Sequence, residues 1–578
     1  MISTHEPDNG GAQAVFALLK QWCDGLLAHQ IPEAAGARLA GGFLCPACAR
    51  VHGRSADAVY PLLYMAQATG EDRYRLAAEA VYEWSEQVSS RRDGSYFNDT
   101  NATWQGITVF SVIAQGEALL YHGQALSEAA RARWQARMAR ALDFLHRYID
   151  TAQANINYPI TCAAAMAVGY RVLGREADGR KARELANRAI RYLTAEGLIF
   201  GEGKPNDLVT AKGYRAVDLG YNVEESLGAL ATYGLLMEDD AVLEQTERAM
   251  RGHLPFLLPD GGWDNSWGSR SAKWTYWGSR TSDGCQIAYG LLAGRDPLFA
   301  EAAWRNFDSY RACTEEGLLH GGPMYARAGQ APCIHHTFCH AKALAAWLDH
   351  GVCARPGLAL PRETRQGWRQ IPSVGVGLIT RGPWTATLSD YDYDPYLHPT
   401  AGLTLLWHRK AGPLIAATMP EYELVEPNNM QLPDALDNIC QTPRAEVEGA
   451  RSDLDPEAHW RPVDGRTGEV EGRVGAWALR TRIAFEEKRV TLQVRCQGNG
   501  VYRLPLIAPG DARTTLADGN LSIDRIDGVH IRLRADAPLS VEPALDRRVF
   551  HPIGGFETLH VLAPLRAEEA LTLQIEVD

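Results

Sequence analysis

The chain has 578 residues, too many for one ordinary core, so two or three domains are expected. Apolar residues make up 46% and charged residues 22%, the proportions of a globular protein that folds in water. A net charge of −12 argues against a nucleic-acid partner, and no run of about 18 apolar residues is present to cross a membrane.

The opening MISTHEPDNGGAQAVFALLK has no cationic segment followed by an apolar core, so no signal peptide is read and a cytoplasmic location is expected. Eleven cysteines, odd in number and irregularly spaced, do not form a disulfide framework. An amphipathic helix is predicted near 13–29, and two kinds of helix then alternate. Less polar segments fall near 55–69, 103–122, 158–173, 221–236, 284–293 and 336–350. More charged ones fall near 72–90, 127–150, 177–195, 239–256 and 296–311. Counted as hairpins, these twelve helices predict an (α/α)₆ toroid over 1–354, with the less polar members inside. Most long connections precede an inner helix, so the loops gather at one end and a cleft is expected there. The longest, PDGGWDNSWGSRSAKWTYWGSRTSDG (259–284), is rich in tryptophan, cations and glycine and reads as a sugar-recognition wall.

Past the link Ala354-Arg355-Pro356 the helical period gives way to alternation, as in GLTLLWHRKAGPLIAAT and AWALRTRIAFEEKRVTLQVRCQ. Residues 355–578 are predicted to form an antiparallel β-sandwich that walls the cleft and offers an oligomer surface. The polar stretch 425–470 carries no strand signal.

The starts of the six inner helices supply the candidate site. They bring His52 and Arg54, then Trp104, Asn157 with Tyr158, and Asp218, Tyr221, Asn222, Glu224 and Glu225. The fifth and sixth bring Arg280 with Asp283, and His335 with His336. Asn157 and Asn222 also suit plain helix capping, whereas the Tyr, His and Arg residues do not. Trp263, Asp264 and Trp277 of the long loop complete the substrate-binding set. Two chemistries fit. Glycoside hydrolysis needs paired carboxyl groups, here drawn from Glu224, Glu225, Asp218 and Asp283 with Asp264 in reserve, three of them at the fourth entrance. β-Elimination from a uronate needs proton transfer, from Tyr221 or Tyr158 with His335 or His336, and a group that holds the substrate carboxylate. No cofactor is called for; Cys45, Cys48 and His52 in CPACARVHGR have zinc-like spacing, but only one close cysteine pair exists.

A helical toroid followed by a β-sandwich resembles the heparinase II/III-like and alginate-lyase-like polysaccharide lyases. The motifs GYNVEESL (220–227), WDNSWGSRSAKWTYWGSRTSDG (263–284) and HHTFCHAKAL (335–344) look like those of glycoside hydrolase family 154, the exo-acting β-glucuronidases. That resemblance spans roughly 40–430 and implies an exo-β-glucuronidase trimming uronic-acid-containing oligosaccharides. The alternative is an exo-lyase of the same fold acting on the same class of substrate. A third reading is a carbohydrate-binding protein without turnover.

Overall fold

The computed structural model describes residues 9–47, 49–98, 104–149, 155–271, 287–332, 334–393, 400–417, 422–423, 442–517, 519–543, 549–550 and 555–578. Helices dominate to Thr364, and a strand-rich region begins at Gly367.

The helical part holds the expected six hairpins. The outer helices are α1 (Asn9–Ala28), α3 (Asp72–Val88), α5 (Glu128–Tyr148), α7 (Glu176–Ala189), α10 (Asp240–His253) and α12 (Pro297–Ala312). The inner helices are α2 (Val59–Thr69), α4 (Thr108–His122), α6 (Asn157–Leu173), α8 (Leu219–Tyr221) running on into α9 (Leu227–Met237), α11 (Ile287–Leu291) and α13 (Ile334–His350). Each inner helix packs on the next, and α13 closes the ring on α2. The segregation follows from composition. Helix α6 is buried almost all round by Ile160, Cys162, Ala163 to Val168 and Gly169, whereas α7 buries only one face through Ala182, Leu185 and Ala186. Ala and Gly on the inner ring let neighbouring helices approach closely. Helix entries depart from expectation by a few residues: Ser55–Ala58 is a 3₁₀ turn before α2 begins at Val59, and α4 begins at Thr108 rather than near 103.

After α13 the chain runs without regular structure to α14 (Pro361–Thr364). A five-stranded antiparallel sheet follows, built in sequence order from Gly367–Ile371, Val376–Arg381, Trp384–Ser389, Gly402–His408 and Gly412–Ala416. It is covered on both faces. Val376 and Leu378 belong to the helical core, while Ile379, Ala386 and Leu388 face a second core shared with an eight-stranded and another five-stranded antiparallel sheet. The period of two along strand Val376–Arg381 makes it a bridge between the two cores. Gly377 permits the close stacking: a Cβ there would meet the Trp460 ring at 2.0 Å. Residues 425–470 are not strand-free as their polarity suggested. Strands occupy Arg444–Val447, Ala450–Arg451 and His459–Pro462, and another begins at Thr467.

Two loops at the cleft end are bolted onto the middle sheet. Lys212 Nζ donates to the carbonyls of Asp390 and Thr400 at 3.1 and 3.2 Å, and Tyr214 donates to Asp390 at 2.8 Å. The Tyr391 hydroxyl accepts from Val217 N–H at 3.1 Å and donates to the Arg215 carbonyl at 3.0 Å. The second bolt joins Asp264 to Arg362 of α14 at 2.7 Å, with both side chains buried, and Arg362 also donates to Ala386 O and Thr387 Oγ1. Thr387 and Ser266 hydroxyls donate to the same Asp264 carboxylate. Among the described residues no helix is long and apolar enough to cross a membrane.

Candidate functional site

The inner-helix entrances do converge, and the described part of the convergence lies around α6, α8 and the end of the 259–271 loop. Helix α6 starts at Asn157, which is fully buried, and Tyr158 follows on a half-buried position. Helix α8 is capped by Asp218, whose Oδ1 accepts Tyr221 N–H at 2.9 Å. A π turn at Asn222–Ser226 then interrupts the helix before α9. Such turns add a residue to the local repeat and recur at functional sites. Both Glu224 and Glu225 are buried within it.

Arg270 organises the cluster. Its guanidinium carbon lies 3.7 Å from the centroid of the Tyr221 ring. Nη2 donates to buried Glu202, and Nε lies 3.8 Å from Asp218 Oδ2. Gly268 brings Arg270 here: its φ of +119° suits glycine, and the next residue, Ser269, donates its N–H to Val217 O at 2.7 Å. Burial works against the Arg270 charge, but Glu202, Tyr221, Asp218 and Glu225 around it raise its pKa. Glu202 in turn accepts Asn157 N–H at 3.0 Å, and Asn157 Nδ2 donates to Glu225 Oε2 at 2.6 Å. Asn157 Oδ1 has no hydrogen-bond partner among the described residues. Burial pushes Glu225 up to about 7, assisted by Glu202 and opposed by the Asn157 hydrogen bond. Glu202 is pushed up to about 7 by burial, with Arg270 opposing. The Tyr221 phenol is raised by burial, and Arg270 pulls it back.

Tyr158 stands beside this group. Its hydroxyl accepts the Trp104 indole N–H at 2.6 Å, and the two rings meet edge-on at 5.4 Å. Trp104 is 47% exposed, which places an open aromatic face next to the phenols. Together, Trp104, Tyr158, Tyr221 and Arg270 are the members of the cluster that keep surface for a substrate.

Other predicted residues form a buried layer. Arg54 Nε donates to Asp57 at 3.0 Å, and Lys342 Nζ reaches the same carboxylate at 3.2 Å. Burial opposes the Asp57 charge, yet the two cations hold its pKa below the usual range. His52 and His335 rings lie 5.0 Å apart, and His336 sits 4.9 Å from His340. All four of His52, Arg54, His335 and His336 are buried. Glu224 and Glu225 also line a cavity of ≈ 60 Å³ on the toroid side, with Glu117, Thr161 and Lys342. Burial pushes Glu117 up to about 8.

Several predicted roles are corrected. Trp263 is not a cleft wall: it is fully buried, tilted against Tyr289 at 5.6 Å. Asp264 is not a sugar ligand but the ion-pair partner of Arg362. Asn222 Nδ2 is spent on Ile199 O and His253, and Asp218 on capping and Arg270. The described half of the 259–284 loop is therefore packing, apart from Arg270; Trp277, Arg280 and Asp283 lie outside the described residues. Cys45 is buried and Cys48 lies outside the described residues; no group of three metal-ligating side chains occurs among the described residues. Sequence reasoning missed Glu202. Its signal was a lone carboxylate between two glycines, in GEGK, on the connection into the fourth inner helix.

Comparison with known proteins adds a family to this geometry. Family models described as the ulvan lyase N-terminal domain and the ulvan lyase C-terminal domain match residues 19–362 and 368–452. A broad-specificity ulvan lyase of Formosa agariphila is 37% identical over 580 aligned positions, covering 94% of this chain and 90% of that one. Among solved structures, Streptomyces coelicolor A3 chondroitin AC lyase in complex with chondroitin sulphate aligns with a TM-score of 0.52 at 14% identity, covering 99% of this chain and 80% of that one. Paenibacillus xanthan lyase aligns with a TM-score of 0.54 at 10% identity, covering 98% of this chain and 57% of that one. The two structural likenesses concern the fold alone. The hydrolase expectation is overturned: the matched family and the 37% identical relative are lyases, and the likeness to glycoside hydrolase family 154 gains no support from them. The broader likeness to toroid polysaccharide lyases stands.

Proposed function

The chain belongs to the ulvan lyase family, and from that premise we propose that it cleaves an acidic, uronate-containing polysaccharide or oligosaccharide by β-elimination. The relative's name makes ulvan the first substrate to assay. The observation that carries the chemistry is the half-buried Tyr221 phenol stacked against Arg270 at 3.7 Å. Elimination removes the proton at C5 of the uronate and breaks the C4–O bond. The electron pair of C5–H becomes the C4=C5 double bond, and the leaving oxygen takes a proton.

Tyr221 is the proton-transfer group. A phenolate is a strong enough base for C5 only if its charge is tolerated, and the adjacent guanidinium supplies that tolerance in a site of low dielectric. Glu202 and Asp218 hold the guanidinium in place. Tyr158, near enough for its charge and that of Tyr221 to repel, is the second phenol and donates toward the leaving oxygen. The proton at C5 becomes acidic only when the neighbouring carboxylate is neutralised. Asn157 and a protonated Glu225 form the floor that does this: a carboxylic acid whose pKa is raised to about 7 is neutral below that pH and can share its proton with a substrate carboxylate without repelling it. Trp104 gives an aromatic face for a sugar ring.

His335 and His336, the expected partners of the tyrosines, are buried, the one against His52 and the other against His340. Glu224 and Asp283, two of the carboxyl candidates for hydrolysis, have no part in this scheme. Tyr221→Phe tests the assignment. Turnover should fall about 10²–10⁴-fold while substrate binding persists. Retained turnover in that variant removes Tyr221 from the chemistry.

A further inference from the structure

A second pocket, of ≈ 330 Å³, opens where the turn after strand Gly402–His408 meets the end of α12 and the start of the 259–271 loop. This volume is at the lower end of ligand pockets, about 300–1,000 Å³. Three cations line it in a protein whose net charge is −12. Arg409 and Lys410 are exposed on the turn. Arg525 is preorganised: Nη1 donates to Ala411 O at 2.6 Å, and Asp527 holds Nε at 3.1 Å. Asp260 is the acidic residue among the described lining, and its Oδ1 is engaged by Gly262 N–H at 3.1 Å.

The apolar side is formed by Trp407 and Phe556, backed by Leu258, Leu405 and Ile507. Trp407 is 4% exposed and backs the pocket, while Phe556 is half-buried. Cations beside an apolar, aromatic side suit a sugar that carries a carboxylate or sulfate. The pocket also shares a loop with the catalytic cluster, since Asp260 and Gly262 line the one and Arg270 stands in the other.

We propose that this pocket is a second binding site for acidic saccharide units, which holds a long chain at a distance from the bond being broken. The inference rests on the acidic-polysaccharide reading above. It is tested with the full chain, using ulvan polymer and an ulvan tetrasaccharide as probes. The variant Arg409→Ala/Lys410→Ala removes two exposed charges; Lys488→Ala/Arg566→Ala, also exposed, is the charge-matched control. Retardation in gels containing ulvan should weaken roughly three- to tenfold in the first variant alone, and KM for the polymer should rise by the same factor. Its kcat, and its KM for the tetrasaccharide, should stay at the wild-type values.

Equal changes on polymer and tetrasaccharide, equal changes in the control, unchanged retardation, or a wild-type chain that ulvan does not retard would each overturn the proposal. Retardation does not depend on turnover. If ulvan is bound but not cleaved, the reaction reading fails, and the variant's retardation still decides the pocket.

Discussion

Arg362→Met should uncouple the helical toroid from the middle sheet. Arg362 is 3% exposed and makes a 2.7 Å bond to Asp264, a 2.8 Å bond to Ala386 O and a 2.6 Å bond to Thr387 Oγ1. Removing the guanidinium leaves the Asp264 carboxylate, 1% exposed, with only hydroxyl and backbone donors around it. Breaking one side of a buried pair costs about 3–5 kcal/mol, because an uncompensated charge remains. Unfolding entropy of ~2.1 cal/mol/K per residue gives ~1.2 kcal/mol/K for 578 residues, so a single cooperative transition should fall by about 2.5–4 °C. Asp264→Asn/Arg362→Met removes both charges and should recover part of that loss. Scanning calorimetry on the wild type, the single variant and the double variant reads all three. Turnover should also drop in the single variant, since the same loop carries Arg270. If Arg362→Met melts with the wild type, or the double variant is less stable than the single, the bolt is not electrostatic and the reasoning fails.

Arg270→Met takes away the cation that lowers the Tyr221 pKa, so the rising limb of log kcat against pH should move to higher pH; an unmoved limb would separate Arg270 from the base. Glu225→Gln tests the neutral-acid floor. Because the folded-state pKa of Glu225 is raised from 4.5 to about 7, its contribution to stability is present below pH 4.5 and is lost as pH rises through 7. The Gln variant should therefore show a flatter decline of stability between those values in denaturant titrations. The same protonation predicts a wild-type KM that worsens above pH 7 and a KM in Glu225→Gln that does not; parallel profiles would contradict it.

The fold was legible because its signal is redundant. Twelve amphipathic segments with alternating polarity, and long connections before most inner helices, leave few arrangements other than a ring. The entrance rule also named Asn157, Tyr158, Tyr221 and Glu225; Asn157 hydrogen-bonds Glu225, and Tyr221 lies against Arg270. It failed where a side chain's partner lies far along the chain. Asp264 looks like a sugar ligand until Arg362, 98 residues later, folds back onto it. Trp263 looks like a stacking platform until Tyr289 covers it. Glu202 is invisible as a site residue until Arg270 and Asn157 meet it. The reaction was misjudged for a related reason. Three carboxyl residues near one entrance suggested hydrolysis, but a cap takes Asp218, the π turn buries Glu224, and Glu225 is hydrogen-bonded to Asn157 beneath the phenols and guanidinium, which offer the larger surface.

The most direct measurement is the chemical nature of the new chain end. Elimination creates a C4=C5 double bond conjugated to the uronate carboxylate, which absorbs in the near-ultraviolet; hydrolysis creates a saturated uronate, which does not. Purified protein incubated with ulvan should generate that absorbance in step with new reducing ends, and Tyr221→Phe should generate neither. New reducing ends that appear without ultraviolet-absorbing product would contradict β-elimination.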